Sequence, residues 1–338
     1  MQSILETFNK NITNFDNNSL IIRFILAFAV FYGHMFAIYG LSEPTLLWGL
    51  HSLGWYAVNM FFLMSGVLVA QSFEYRDVKS YALARFLRIY PAYVLSLFVS
   101  LLLALLFSPV DFGWQSFRFI ISNILPLKEL GLGMAGVWSS TAQAGAMNNS
   151  LWTIPFEVFC YIFIVPMLLS YKGNKLLFKV IFVIAMLYML SRLNVLSLDH
   201  IKYDLLRVLF YFGFGVSFYR LIKTQSFNIS LVFFVCGIIV CEELFSEILL
   251  NFFIMTLCLF ISFYFKAWRP VESDYSYGIY LYAWPISQAV CAAGVENIYF
   301  AICIAFICLL LLSYCSWTYL EKPCLKLKNR IIRKKRDV

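Results

Sequence analysis

The sequence predicts an all-α, polytopic membrane protein with about ten transmembrane helices and with both termini in the cytoplasm. Hydrophobic residues make up 62% of its 338 positions and charged residues only 13%, whereas a soluble domain carries about a quarter charged residues. Residues 89–110 and 297–320 contain no Asp, Glu, Lys, Arg or His. At about 1.5 Å per residue, each run is long enough to cross a hydrocarbon core of about 30 Å.

Apolar runs between polar breaks predict ten spans. The first run follows a polar segment without a basic leader or a small-residue cleavage site, so we interpret it as a retained span and not as a signal peptide. The fifth and seventh spans are the shortest. The spans cover residues 20–40, 48–72, 89–109, 151–171, 177–191, 204–222, 228–242, 247–265, 275–294 and 298–320.

The positive charges predict the orientation of these spans. With a cytoplasmic N-terminus, twenty of the 26 Lys and Arg residues fall in inside segments and four fall outside. Eight of the twenty lie in the basic tail, residues 321–338. Cytoplasmic loops are rich in Lys and Arg, and a basic tail beside a last span is typical of that side of the membrane. The net charge of +8 therefore does not indicate a nucleic-acid partner.

The chain is predicted to form a single membrane domain over residues 1–338. It shows no internal repeat and no low-complexity linker, so a two-repeat transporter is not indicated. The largest outside segment, roughly residues 110–150, is too short for a soluble catalytic domain. It is expected either to cover the outer mouth as a lid or to dip back into the membrane.

The first span carries two ionisable residues, Arg23 and His34. Such groups are costly inside a bilayer and usually face a protein interior or an aqueous cavity. Their spacing of eleven residues is almost three helical turns, which places them on one face about 16 Å apart. An arginine that reaches the interface and a histidine bonded in the core are the simpler alternatives. The shared face favours a functional role.

Glu157 lies at a depth similar to that of His34, because each is about six residues from the outer end of its predicted span. A carboxylate beside an imidazole orients the ring and raises its basicity, as a general base requires. The alternatives are that Glu157 pairs with Arg207 or caps unwound backbone beside Pro155.

Arg85 and Arg88 lie in the inner segment before the third span, at i and i+3. One helical turn would point both guanidinium groups the same way, which favours a phosphate clamp. Ordinary anchoring on the positive side is the alternative. The sequence has no nucleotide loop, serine elbow or zinc-ligand spacing, so no metal is expected.

Six short motifs occur in order along the chain, and together they resemble the acyltransferase-3 family of bacterial membrane proteins. The resemblance covers nearly the whole chain. It implies O-acylation of surface-polysaccharide sugars, usually from acetyl-CoA. The motifs are RFILAFAVFYGH with Arg23 and His34, FFLMSGVLVA with Ser65 and Gly66, ARFLRIYP with Arg85 and Arg88, NNSLWTIPFEVFCY with Trp152 and Glu157, SYGIYLYAWP, and EKP at 321–323.

The resemblance implies a role for residues that the spans had already singled out. His34 matches the catalytic base and Arg23 a second essential residue, while Arg85 and Arg88 match the pair that handles acyl-CoA at the cytoplasmic face. The chain departs from the family at Ala283, where many members carry histidine or another polar residue. No fused hydrolase-like extracytoplasmic domain is expected.

The sequence therefore predicts an acetyl-CoA-dependent O-acetyltransferase in a bacterial cytoplasmic membrane. Its expected partners are acyl-CoA, membrane lipid and a carbohydrate acceptor, either a surface polysaccharide or its lipid-linked precursor. Direct transfer and a transient acyl-histidine both remain open. The alternatives are a glycan or lipid transporter or flippase that uses an intramembrane Arg/His/Glu relay, and a non-catalytic scaffold.

Overall fold

The described part of the chain consists of helices joined by irregular connections. The computed structural model describes residues 2–14, 16–46, 51–108, 113–126, 133–169, 173–192, 196–224, 245–268 and 273–327. No β-strand occurs within these ranges. The all-α part of the fold prediction is confirmed.

Eleven α-helices lie in the described ranges and are numbered here in chain order. A 3₁₀ turn, Asn149–Thr153, precedes α6, and π-helical turns at Phe260–Tyr264 and Trp317–Glu321 extend α9 and α11. The helices are α1 Gln2–Thr13, α2 Ser19–Ile38, α3 Leu53–Glu74, α4 Val78–Phe107, α5 Trp114–Asn123, α6 Ile154–Leu169, α7 Gly173–Arg192, α8 His200–Thr224, α9 Phe245–Leu259, α10 Ser276–Ala292 and α11 Ile298–Ser316.

Several helices have the length and hydropathy of membrane spans, so the chain is a multi-pass membrane protein. Of the predicted short spans, the fifth coincides with α7, whereas the seventh, 228–242, lies outside the described residues. The total of ten spans and the cytoplasmic location of both termini stay predictions. The six long apolar helical stretches in the described ranges are Ser19–Ile38, Leu53–Glu74, Val78–Phe107, Asn149–Leu169, His200–Lys223 and Ile298–Leu327.

The N-terminal helix α1 was not predicted, because its segment carries too few apolar residues for a span. It buries Phe8 and Ile12, which are one helical turn apart on the same face. The Phe8 ring packs edge-on against Phe218 of α8 and Phe260 of the π turn, at centroid distances of 5.2 and 5.1 Å. The segment before the first span is therefore anchored on the bundle.

Helices α3 and α8 pack at backbone distance through two glycines. A Cβ atom at Gly66 would lie 2.1 Å from the carbonyl oxygen of Phe212, and one at Gly215 would lie 2.0 Å from that of Leu63. Small residues allow membrane helices to approach this closely and gain van der Waals contact. The glycine of the FFLMSGVLVA motif thus serves packing.

Helix α10 lies at the centre of the described bundle and packs against α2, α4 and α11. Every residue from Ser276 to Val290 is buried. The helix contains no Asp, Glu, Lys, Arg or His, as is typical of a helix that is buried all round. Ala283, the departure from the family pattern, is fully buried here.

Residues 133–153 are bonded to the helix bundle, while the two predicted arrangements of the outside segment, a lid over the outer mouth or a return into the membrane, stay predictions. Asn148 is fully buried, and its Nδ2 donates to Ser100 Oγ and to the carbonyl of Leu281, both at 3.0 Å. Trp284 Nε1 donates to the carbonyl of Ala146 at 3.0 Å. These bonds join the segment to α4 and α10, so α6 and its first-turn Glu157 begin inside the bundle.

Candidate active site

A carboxylate at the start of α10 connects two of the predicted site residues. Arg23 Nη1 of α2 and Arg88 Nη2 of α4 donate to the same oxygen, Asp274 Oδ2, at 2.9 and 2.5 Å. The other oxygen accepts from the backbone N–H of Ser276 at 3.2 Å. Burial alone would raise the pKa of the Asp274 carboxyl, but the charges of Arg23 and Arg88 lower it to about 2. Asp274 therefore stays ionised and holds three helices together.

Arg88 also approaches a second carboxylate, that of Glu321 in the EKP motif. The distance from Arg88 Nη1 to Glu321 Oε2 is 3.8 Å, and Ser316 Oγ donates to the other Glu321 oxygen at 2.9 Å. The guanidinium lies over the Tyr277 ring at 5.3 Å. With two acidic neighbours, the charge of Arg88 is balanced within the protein.

The two inner arginines do not share a ligand position in the structure. Arg85 Nη2 donates to Ser72 Oγ at 3.1 Å, and its guanidinium lies over the rings of Tyr81 and Tyr161 at 5.8 and 5.5 Å. Arg88 instead binds Asp274. The spacing of i and i+3 predicted parallel guanidinium groups, but each reaches a different helix.

Arg23 and Glu157 line one cavity between α2, α3, α6 and α10. Its volume is about 50 Å³, which is room for a few water molecules or one narrow group. Three apolar side chains and five hydroxyl-bearing side chains form the remaining wall. These are Val58, Phe61 and Phe62, and Ser65, Thr153, Ser276, Tyr277 and Tyr280.

Glu157 is held by α6 itself, because Tyr161 one turn later donates its hydroxyl to the Glu157 carboxylate. No hydrogen bond joins Glu157 to His34, although both residues lie in the described ranges. The alternative partner Arg207 is also committed elsewhere, to Asp204 at 2.6 Å and Asn59 at 2.9 Å. Glu157 therefore faces the cavity without a cationic partner at bonding distance.

His34 lies further along α2, beside the segment that enters the bundle. Its ring meets Trp284 edge-on at a centroid distance of 5.0 Å. Its Nδ1 atom is buried and has no hydrogen-bond partner among the described residues. A buried polar atom without a partner costs about 1–3 kcal/mol, and such atoms in a native fold call for an explanation, which a bound substrate can supply.

Arg207, the other arginine inside a predicted span, is 3% exposed. Besides Asp204 and Asn59, it contacts the rings of Trp55 and Trp152 at 5.3 and 5.6 Å. Its charge and its donors are thus satisfied internally. We assign it a structural role that joins α8 to α3 and to the turn before α6.

Comparison with known proteins now identifies the family. A family model described as an acyltransferase domain matches residues 17–320. The chain belongs to the acyltransferase-3 family. The acyltransferase is also similar to a protein named O-acetyl transferase from Shigella phage Sf6, with 28% identity over 325 residues that cover 89% of this chain and 93% of the relative. No solved structure matches the chain.

Residues of three motifs form one charged cluster around Arg88 and Asp274 in this acyltransferase. Arg23 of the first motif and Arg88 of ARFLRIYP bind Asp274, and Glu321 of EKP approaches Arg88. Sequence reasoning missed Asp274, although an isolated acid directly before SYGIYLYAWP, at a span boundary, was a usable signal. Among the described residues, no group of three His, Cys, Asp or Glu side chains is placed to hold a metal ion, and the metal-free site stays a prediction.

Proposed function

We propose that this acyltransferase transfers an acetyl group from acetyl-CoA to a sugar hydroxyl of a bacterial surface polysaccharide or its lipid-linked precursor, in the cytoplasmic membrane. The family match over residues 17–320 supports acyl transfer. The name of the phage relative supports acetyl as the acyl group and oxygen as the acceptor atom. The buried, unpartnered Nδ1 of His34 is the structural observation that carries the proposed chemistry.

In the proposed reaction, His34 removes the proton from the acceptor hydroxyl. The hydroxyl oxygen then forms a bond to the acetyl carbonyl carbon, and the bond from that carbon to the CoA sulfur breaks. The imidazolium returns the proton to the departing thiolate, so the products are the acetyl ester and CoA. If His34 itself took the acetyl group first, the same atoms would balance over two steps.

Arg23 and Glu157 receive roles from the cavity that they share. One guanidinium nitrogen of Arg23 is committed to Asp274, and arginine has further N–H donors. We assign those donors to the acyl-donor arm in the cavity. We assign Glu157 to orienting the acceptor, since its carboxylate lines the same cavity and is not bonded to His34.

The proposal is tested by expressing the wild type and His34→Ala at matched levels and measuring O-acetyl groups on the host glycan. We expect the variant to lose acetylation by at least a hundredfold, since positioned general bases contribute about 10²–10⁴-fold. His200→Ala is the matched control, because His200 is exposed at the start of α8, and it should retain wild-type acetylation. Undiminished acetylation by His34→Ala would remove His34 from the mechanism.

The transporter or flippase alternative makes a different prediction. It requires movement of a glycan or lipid that does not depend on acyl-CoA. A wild-type protein that yields no acyl ester on any glycan while moving such a substrate would favour that alternative. The family assignment favours transfer.

A further inference from the structure

Two arginines converge on one serine hydroxyl where α3 ends and α4 begins. Arg76, in the turn between the helices, donates from Nη1 to Ser72 Oγ. Arg85 Nη2 donates to the same oxygen at 3.1 Å. Because that oxygen already accepts two N–H groups, the hydroxyl proton of Ser72 is left to donate outward.

This pair differs in its charge balance from three buried or half-buried arginines of the bundle. Arg23, Arg88 and Arg207 each have a carboxylate partner at 2.9 Å or less. Within the part of the chain that the structure describes, neither Arg76 nor Arg85 has a carboxylate at ion-pair distance. Burial and the charge of Arg85 both lower the pKa of Arg76. Two unbalanced positive charges held this close favour an anion between them.

The nearest acids in the sequence are committed to other groups. Glu74 accepts a hydrogen bond from Tyr219 and pairs with Lys223 at 3.5 Å. Asp77 accepts from the backbone N–H of Ser80 and caps the start of α4. Both carboxylates therefore serve partners other than the arginine pair.

We propose that Ser72, Arg76 and Arg85 form a phosphate-binding site on the cytoplasmic side and hold a phosphate group of the acyl donor. This inference rests on the proposed function. It replaces the clamp of Arg85 and Arg88 that the spacing predicted, because Arg88 is balanced by Asp274 and Glu321. Two guanidinium groups and one hydroxyl supply donors that match the three free oxygens of a phosphate monoester.

The site is connected to the cavity of Arg23 and Glu157 through one aromatic residue. The Tyr161 ring lies under the Arg85 guanidinium at 5.5 Å, and the Tyr161 hydroxyl donates to Glu157. A donor whose phosphate binds at Arg85 therefore has its thin pantetheine arm beside the cavity. The phosphate of an anionic lipid headgroup could be bound by the same three side chains, and the test below distinguishes it from the acyl donor.

The test uses the purified full chain in nanodiscs of phosphatidylcholine and measures the Kd of acetyl-CoA and of phosphate-free acetyl-pantetheine. We expect Arg76→Gln to raise the Kd of acetyl-CoA about tenfold to a hundredfold, as for loss of one charge-assisted contact. The affinity for acetyl-pantetheine should not change. Lys79→Gln, the same charge change at an exposed neighbour, should leave both values unchanged.

Two further measurements separate the outcomes. Ser72→Ala should weaken acetyl-CoA binding less than Arg76→Gln, and it tests the site if Arg76→Gln does not fold. If acetyl-CoA binding is unaffected but Arg76→Gln loses binding of phosphatidylglycerol added to the nanodiscs, the phosphate comes from lipid. Unchanged binding of both ligands overturns the site. A wild type that does not bind acetyl-CoA contradicts the proposed function, and the lipid measurement still tests the site.

Discussion

Replacing Asp274 with asparagine should destabilise the protein strongly, because it leaves two buried arginines without their shared carboxylate. The Arg23, Arg88 and Asp274 side chains are only 17%, 15% and 8% exposed, so water compensates little. Removal of one partner from a buried ion pair costs about 3–5 kcal/mol. That is a large share of a total stability of about 5–15 kcal/mol.

The assay heats the purified protein in detergent and measures the remaining folded fraction as the monodisperse peak in size-exclusion chromatography. Asp199→Asn is the matched control, because the Asp199 pair with Lys202 is exposed, and it should leave the midpoint almost unchanged. Arg23→Met in the Asp274→Asn background should recover part of the loss, with a coupling energy of about 0.5–3 kcal/mol. Equal stability of the Asp274→Asn and Asp199→Asn proteins would show that Asp274 does not hold the three helices together.

The same change should alter the response of stability to acid. The pKa of Asp274 in the folded protein is about 2, below its ordinary value. A group with a lowered pKa stabilises the fold above its unfolded pKa, and this contribution is lost as the pH falls through the folded pKa. The wild type should therefore lose this contribution between about pH 4 and pH 2. In the same window the Asp274→Asn protein should show no corresponding loss.

Two further predictions concern packing. Gly66→Ala should prevent accumulation of folded protein, because its Cβ would lie 2.1 Å from the Phe212 carbonyl oxygen. Gly113→Ala is the control and should accumulate normally, because no atom lies within 4 Å of its added Cβ. Comparable yields of the two variants in a membrane fraction would contradict this prediction. Asn148→Ala should lower the free energy of unfolding by about 1–3 kcal/mol, since it loses hydrogen bonds to Ser100 and to a carbonyl of α10. An unfolding midpoint equal to that of the wild type would show that these bonds do not stabilise the fold.

Hydropathy predicted the positions of most helices because the bilayer constrains each span locally. The third span was placed at 89–109, whereas α4 runs from Val78 to Phe107. Hydropathy marks the part of a helix that lies in lipid, but backbone hydrogen bonds continue through the charged inner segment. Helix α1 and the bonds of residues 146–148 to α4 and α10 depend on contacts with distant helices, so no local pattern predicted them.

The sequence predicted which residues of a single helix share a face, but it did not predict which residues of other helices they contact. The spacing along α2 singled out Arg23 and His34, yet the partner of Arg23 is 251 positions away, and that of Arg88 is 186 positions away. Depth in the membrane fixes the height of a side chain but not the direction in which its helix turns it. Glu157 was therefore predicted to contact His34, whereas the rotation of α6 directs it to Tyr161 and the cavity.

The most direct test of the proposed function is acetyl transfer by the purified protein in liposomes with lipid-linked glycan outside and radiolabelled acetyl-CoA inside. We expect the wild type to release CoA thiol and to deposit label as acetyl ester on the glycan in equal amounts, and we expect His34→Ala to do neither. Label that never reaches the glycan, or ester formed equally well by His34→Ala, would contradict it.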